Sequence, residues 1–262
     1  MTETRILAIA GQRQSGKTTL GKHIFGYTMS ANNLIPCWKV VNSELIVPVE
    51  DEDSYKEQIY DPMEYNDLNI EKIWPLCRIY NFAQPLKEFI SKVFNVSIKL
   101  LNGTDEDKNT ILDITWSNLP KECFTIHKKE NPESKNTDNI TIRQLLQSFG
   151  TDICRKISTN CWVDALVNEI YTYPNKFAVI TDCRFDNEVL GIKKIGGKVI
   201  KLTRSIGQPK HKSETALLEE NFNQSNFDAI IDNSNMDEKT QQLVMFDILR
   251  QWGWITGPVN IT

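Results

Sequence analysis

The apolar residues of this chain fall into short runs separated by longer segments with three- and four-residue spacing. Arg5-Ile6-Leu7-Ala8-Ile9-Ala10, Leu76 to Phe82, Phe177-Ala178-Val179-Ile180-Thr181, Lys198 to Leu202 and Asp228 to Ile231 read as buried strands. Between them lie helical patterns. Thr19 to Phe25 follows the first run. Leu86, Phe89, Ile90 and Val93 form an apolar face behind Pro85. Thr141 caps a helix that carries Ile142, Leu145, Leu146 and Phe149 inward and that Gly150 ends. Further helices are expected around Trp162 to Leu166 and from about Asp237 to Trp252, the last with Leu243, Phe246 and Leu249 facing in.

Strand and helix alternate along the chain, which predicts an α/β fold with a mostly parallel central sheet covered by helices on both faces. Two stretches break the alternation and read as insertions in a single domain spanning 1–262. Residues 31–75 carry Pro36, Pro48, the acidic Glu50-Asp51-Glu52-Asp53 and Pro62. They predict loops with short strands at Val40-Val41 and Leu45-Ile46-Val47, capping the core. Residues 113–140 are also loop-like, and 102–108 is a charged turn.

Composition narrows the classes. The 262 residues are 40% hydrophobic, enough for a proper core, and the net charge is −4. An acidic pI near 5.5 argues against stable nucleic-acid binding, which favours basic chains. Six cysteines show no metal-like spacing and read as reduced thiols, so a cytoplasmic protein is expected. Only five apolar residues precede Gly11, and no run approaches a membrane span or a secretory leader.

The first run leads into Gly11-Gln12-Arg13-Gln14-Ser15-Gly16-Lys17-Thr18, the pattern G-x-x-x-x-G-K-[ST] of a phosphate-binding loop. Two glycines let backbone N–H groups turn inward as an anion nest, and the following helix adds its positive end. Lys17 reaches the β- and γ-phosphates of ATP and the Thr18 hydroxyl ligates Mg²⁺. Asp182 ends an apolar strand as a Walker B carboxylate does, where parallel sheets place their ligands. Phosphoryl transfer needs several converging cations, and Arg13, Lys17, Arg143, Arg184 and Arg204 are the candidates. Arg204 opens a basic stretch with Lys210, His211 and Lys212, so 204–222 is expected to be a lid that excludes water.

Several of these segments, in this order, resemble the deoxynucleoside monophosphate kinases of large tailed bacteriophages. They are Gly11 to Thr19, Phe82-Ala83-Gln84-Pro85-Leu86-Lys87, Arg143 to Asp152, Cys161-Trp162-Val163, Thr181 to Glu188, Gly196 to Ile200 and His211 to Glu214. The resemblance implies a P-loop kinase three-layer sandwich with acceptor-binding and lid insertions. It implies that Gln14, Ser15, Gly16, Lys17, Thr18 and Thr19 hold the ATP phosphates, with Arg204 beside them, and that Arg13 lies between donor and acceptor. It implies that Leu86, Lys87, Lys108, Arg143, Gly150, Thr151 and Trp162 line the acceptor site, Trp162 at the base. Asp182, Arg184 and Glu188 would complete that site near the transferred group, and Thr18 with Asp182 would hold Mg²⁺. Members of that family can be homodimers. The two insertions are longer than the family needs and are expected to reshape the acceptor pocket.

The expected function is ATP- and Mg²⁺-dependent phosphorylation of deoxynucleoside 5′-monophosphates to diphosphates. Two other readings stay open. One is a kinase of another acceptor, such as a modified base in DNA or dephospho-coenzyme A. The other is a nucleotide-binding module that transfers nothing.

Overall fold

The structure is a computed structural model that describes residues 4–51, 54–64, 66–173, 175–205 and 215–256. The chain divides into two compact units, Met1–Asn81 with Val167–Thr262 and Phe82–Leu166. The first holds β1 (Arg5–Ala10), α1 (Lys17–Ala31), β2 (Lys39–Val41), β3 (Glu44–Asp51), β4 (Ser54–Tyr60) and β5 (Cys77–Tyr80). It continues after the second with β8 (Phe177–Cys183), α9 (Asp186–Lys194), β9 (Lys198–Leu202), β10 (Ala229–Ile231) and α10 (Glu238–Gln251). The second holds α2 (Gln84–Phe94), α3 (Ile98–Asn102), α4 (Asp105–Lys108), β6 (Ile111–Thr115), α5 (Lys121–Glu130), β7 (Asn139–Thr141), α6 (Ile142–Gln147) and α7 (Cys154–Ile157). The division falls within α8 (Cys161–Thr172).

The five predicted runs form one sheet in the order β10-β9-β1-β8-β5, with every pairing parallel. β1 is its middle strand, with Leu7 opposite Val179 of β8 and Ala8 opposite Val199 of β9. Leu7, Ala8, Ile9 and Ala10 are fully buried, as continuous apolar runs in parallel sheets must be. Phe25 of α1 and Phe246 of α10 belong to the same core. On α10 Phe246 and Leu249 face inward as expected, together with Gln241, Gln242 and Met245, while Leu243 is exposed.

The stretch 31–75 is more regular than expected. β2, β3 and β4 form a three-stranded antiparallel sheet, and the acidic run is partly strand, since β3 continues to Asp51. Pro48 does not break β3, because β2 pairs only with Glu44, Leu45 and Ile46. From Val47 onward that side of β3 needs no ladder N–H, so proline is tolerated. Residues 113–140 likewise hold elements: β6 pairs antiparallel with β7, and α5 lies between them in sequence. Trp116 stacks on His127 of α5 at 4.2 Å between ring centroids.

In the second unit Leu86 and Ile90 of α2 are buried, but Phe89 and Val93 are exposed. Only one of the two adjacent i, i+4 stripes is inward, and Phe89 packs on the rings of Phe94 and Phe149 instead. The charged turn contains α4, whose N-cap Thr104 exchanges hydrogen bonds with Asp107. Thr141 caps α6 as expected, and Gln144 completes the reciprocal box, accepting from the Thr141 N–H at 2.8 Å. Gly150 does not end that helix. A π-type turn over Ser148–Ile153 carries it into α7. Glycine at 150 serves close packing, because an added Cβ would stand 2.7 Å from Leu86 Cδ2.

Gly26, inside α1, tests the packing of the antiparallel sheet. A methyl added there overlaps the buried Trp38 ring. Gly26→Ala in an open helix interior would add about 1 kcal/mol of stability; here it should cost about 1–3 kcal/mol through overpacking. Urea unfolding measures the sign, and a stabilised variant would refute this packing.

Candidate active site

Parallel pairing delivers the chemistry to one end of the sheet. β1 ends at Ala10, opposite Cys183 of β8, and the Gly11 N–H donates to the Cys183 carbonyl at 3.3 Å. The loop therefore begins beside Asp182 and Arg184. Gly11 and Gly16 have φ of +151° and +98°, values that disfavour a side chain. A Cβ on Gly11 would also lie 2.7 Å from Ser15 Oγ, and one on Gly16 would lie 2.8 Å from Gln241 Nε2. Gln14 takes φ +58° without being glycine, a strain of the kind that active-site loops retain.

Lys17 is the first residue of α1 and is only 5% exposed. Its ammonium donates to the carbonyls of Gly11, at 2.9 Å, and Gln12, and lies 3.3 Å from Ser15 Oγ. Burial, and after it the neighbouring Arg184 guanidinium, pushes its pKa down to about 7, with Asp182 acting in the opposite sense. Gln14, Ser15, Gly16, Lys17, Thr18, Thr19, Asp182, Arg184 and Arg204 all line one cavity of about 520 Å³. Nine of the sequence-predicted residues thus meet at one place within the first unit.

Arg204 follows β9. Its guanidinium donates to the carbonyls of Asn233, at 3.0 Å, and Met236, so its position is fixed by the chain entering α10. Arg13 is exposed on the loop and is not among the cavity's lining residues. Glu188 is buried, and its carboxylate accepts from the N–H groups of Arg184, at 2.7 Å, and Phe185. It fixes the turn that carries Arg184. Lys210, His211 and Lys212 lie outside the described residues.

The second unit holds the remaining candidates. Arg143 of α6 pairs with Asp105, the first residue of α4, at 2.8 Å and donates to Asn109 Oδ1, just past the end of that helix, which also carries Lys108. Lys87 donates to Asn102 Oδ1 at 2.9 Å. Trp162 donates its indole N–H to the Gly150 carbonyl at 2.9 Å, and Leu86 packs under Gly150. Thr151 follows in the same π-type turn. Leu86, Gly150 and Trp162 therefore meet at one place, with Thr151 next in the chain, and Arg143 is tied to the short helix that carries Lys108.

Sequence reading did not single out the residues that back the phosphate loop or those that line the cavity from α10. Asn233 is fully buried at the end of the β10 strand and donates to the Ser15 carbonyl at 2.8 Å and Gln241 Oε1 at 2.7 Å. Its own Oδ1 accepts from the Arg204 N–H. One carboxamide thus joins the phosphate-loop backbone, β9 and α10. Its signal was its place after a parallel strand. Glu238 and Gln241 line the cavity from the first turn of α10 and gave no signal. Behind Glu238 stands His23, 3.1 Å away and pushed down to about 4 by burial; it is a neutral ring at pH 7, donating through Nε2. Ser43, from the tip between β2 and β3, is also in the lining.

The deoxynucleotide monophosphate kinase family model matches residues 5–243. A protein of Acanthamoeba polyphaga mimivirus named "Putative deoxynucleotide monophosphate kinase" is 29% identical over 152 residues, covering 52% of this chain and 67% of that protein. That relative belongs to a giant virus rather than to a bacteriophage. Among the described residues no helix is long and apolar enough to cross a membrane.

The depressed pKa of Lys17 sets a proton count. A lysine titrating near 7 is about nine-tenths neutral at pH 8. Phosphate oxygens brought against it favour the charged form and raise its pKa. Nucleoside triphosphate binding at pH 8 should therefore take up a large fraction of a proton from the buffer, and Lys17→Met should abolish most of that uptake. Calorimetry in two buffers of different ionisation heat reads it directly; equal uptake by both proteins would refute the assignment.

Proposed function

We propose a division of work for this chain, which belongs to the deoxynucleotide monophosphate kinase family. It is a phosphotransferase that phosphorylates deoxynucleotide monophosphates, and the family implies ATP as donor. Membership decides against the readings as a DNA-base or dephospho-coenzyme A kinase and as a binding-only module.

The observation that carries the scheme is that the loop, Lys17, Thr18, Asp182, Arg184 and Arg204 face a single cavity. In this reading the loop N–H groups hold the donor phosphates and Lys17 leaves its carbonyl partners for the β- and γ-oxygens. Arg204 attends the donor from a fixed position. Arg184 neutralises charge on the transferred group, and Glu188 serves by holding the turn on which Arg184 sits. Arg13 stays assigned to the space between donor and acceptor. In the second unit, Arg143, Lys87 and Lys108 bind the acceptor phosphate, and Trp162, Gly150, Thr151 and Leu86 its nucleoside.

Thr18 and Asp182 would hold Mg²⁺. A hydroxyl and a carboxylate lining the same cavity suit a hard cation that fills its remaining positions with phosphate oxygens and water. Among the described residues no cluster of three carboxylate, imidazole or thiolate groups offers a self-contained metal cage, which agrees with a cation arriving with its nucleotide. Bound there, it would offset the negative charge of the β- and γ-oxygens. No general base is required, because the acceptor phosphate is already anionic near neutral pH.

A coupled ADP-release assay tests the scheme with Mg-ATP and dGMP, dTMP, dCMP, dAMP, hydroxymethylated pyrimidine monophosphates and the ribose counterparts. Turnover is expected on one or more deoxy forms. Lys17→Ala should lower kcat about 10²–10³-fold, the scale of one lost charge-stabilising donor. Arg143→Ala should raise the acceptor KM while ATP binding is kept. Near-normal turnover in Lys17→Ala would overturn the mechanism.

A further inference from the structure

The insertion expected to reshape the acceptor pocket touches the other substrate's site. Residues Asn42 and Ser43 form the two-residue turn between β2 and β3, where Val41 pairs with Glu44. The tip lies against α1. Ser43 Oγ is 2.8 Å from Thr19 Oγ1, and Lys22 Nζ donates to the Ser43 carbonyl at 2.7 Å. Ser43 lines the same cavity as the phosphate loop. Both turn residues have positive φ, 51° and 63°, although neither is glycine. Tight hairpins of this shape favour glycine at the second position. Serine is held there at a backbone cost, which a hydroxyl used at a ligand site would account for.

The position of Thr19 gives the tip its meaning. Lys17 serves the β- and γ-phosphates and Thr18 the cation that bridges them. Thr19, one residue further into α1, is left for the α-phosphate, which the same loop cradles. Thr19 is nearly buried, and its hydroxyl shares a hydrogen bond with that of Ser43, in which either can be the donor. With Ser43 donating to Thr19 Oγ1, the Thr19 hydrogen is free to be donated to a phosphate oxygen.

We infer that Ser43 is a positioning residue for the phosphoryl donor: it orients the Thr19 hydroxyl toward the α-phosphate of ATP, and the hairpin tip walls the donor cavity on that side. The inference rests on the reading of the loop as the donor site. It assigns the antiparallel sheet of residues 39–60 to ATP affinity. Acceptor choice lies elsewhere.

The test uses the full chain, with ADP titrated calorimetrically and ATP and the best deoxynucleotide varied in steady state. Ser43→Gly removes the hydroxyl while relaxing the turn, so it is expected to fold at least as well as wild type. Ser43→Ala serves as the second variant. Both should weaken ADP binding and raise the ATP KM about three- to tenfold, the range of one hydrogen bond. The saturating kcat and the acceptor KM should stay within about twofold. In a Thr19→Val background, Ser43→Gly should add nothing, because the path through Thr19 is already cut. Wild-type ADP affinity in Ser43→Gly, a parallel rise in the acceptor KM, or additive losses with Thr19→Val would each overturn the proposal. Lys17→Ala in the same titration separates the two levels. If it binds ADP and ATP normally, the donor-site reading itself fails; if it loses them while Ser43→Gly does not, only the role of Ser43 fails.

Discussion

A positive charge brought into a nearly closed site is the constraint to which the rest of the first unit answers. An ammonium stripped of water must find oxygens, and Lys17 finds them in the backbone of its own loop, at Gly11 and Gln12, with Ser15 Oγ close by. That arrangement needs the loop to curl back over the start of α1, hence the positive φ at Gly11, Gln14 and Gly16. It needs the loop backbone to be held from behind, which Asn233 does through the Ser15 carbonyl. It also needs opposite charge near enough to offset Arg184, and β8 supplies Asp182. Loop carbonyls are weak partners for a cation compared with phosphate oxygens. The resting arrangement therefore stores a preference for an anionic ligand.

The core was legible because parallel strands are written as continuous apolar runs. All five were read, and their ends pointed at the loop, Asp182, Arg184 and Arg204, which the structure gathers around one cavity. The insertions were not legible. Pro48 and the acidic residues after it look like a loop unless one knows that β2 stops at Val41 and frees that side of β3. Gly150 looks like a helix stop, yet its missing side chain makes room for Leu86. Phe89 and Val93 share the spacing of Leu86 and Ile90 and differ only in what lies opposite. In each case the deciding partner is distant in sequence.

Asn233, buried behind the phosphate loop, and Glu238 and Gln241, which line the cavity, show another limit. None of the three belongs to a motif, and each acts through what it touches: a loop carbonyl, the buried His23, or the space above Gly16. Such residues matter by contact geometry, and no spacing rule marks them.

The sheet order also governs how the chain can be assembled. β1 is made first, yet its neighbours β8 and β9 come only after the entire second unit has been synthesised. Pairings so remote in sequence close slowly, because the loop entropy is lost before any contact is gained. The second unit carries a separate apolar cluster around Leu101, Ile140 and Leu145 built from a continuous stretch of chain. On a ribosome it can condense while the fully apolar Leu7 to Ala10 segment still waits unpaired, a segment of the kind that aggregates or recruits chaperones. The central strand that positions the chemistry is thus the chain's chief hazard during its own birth.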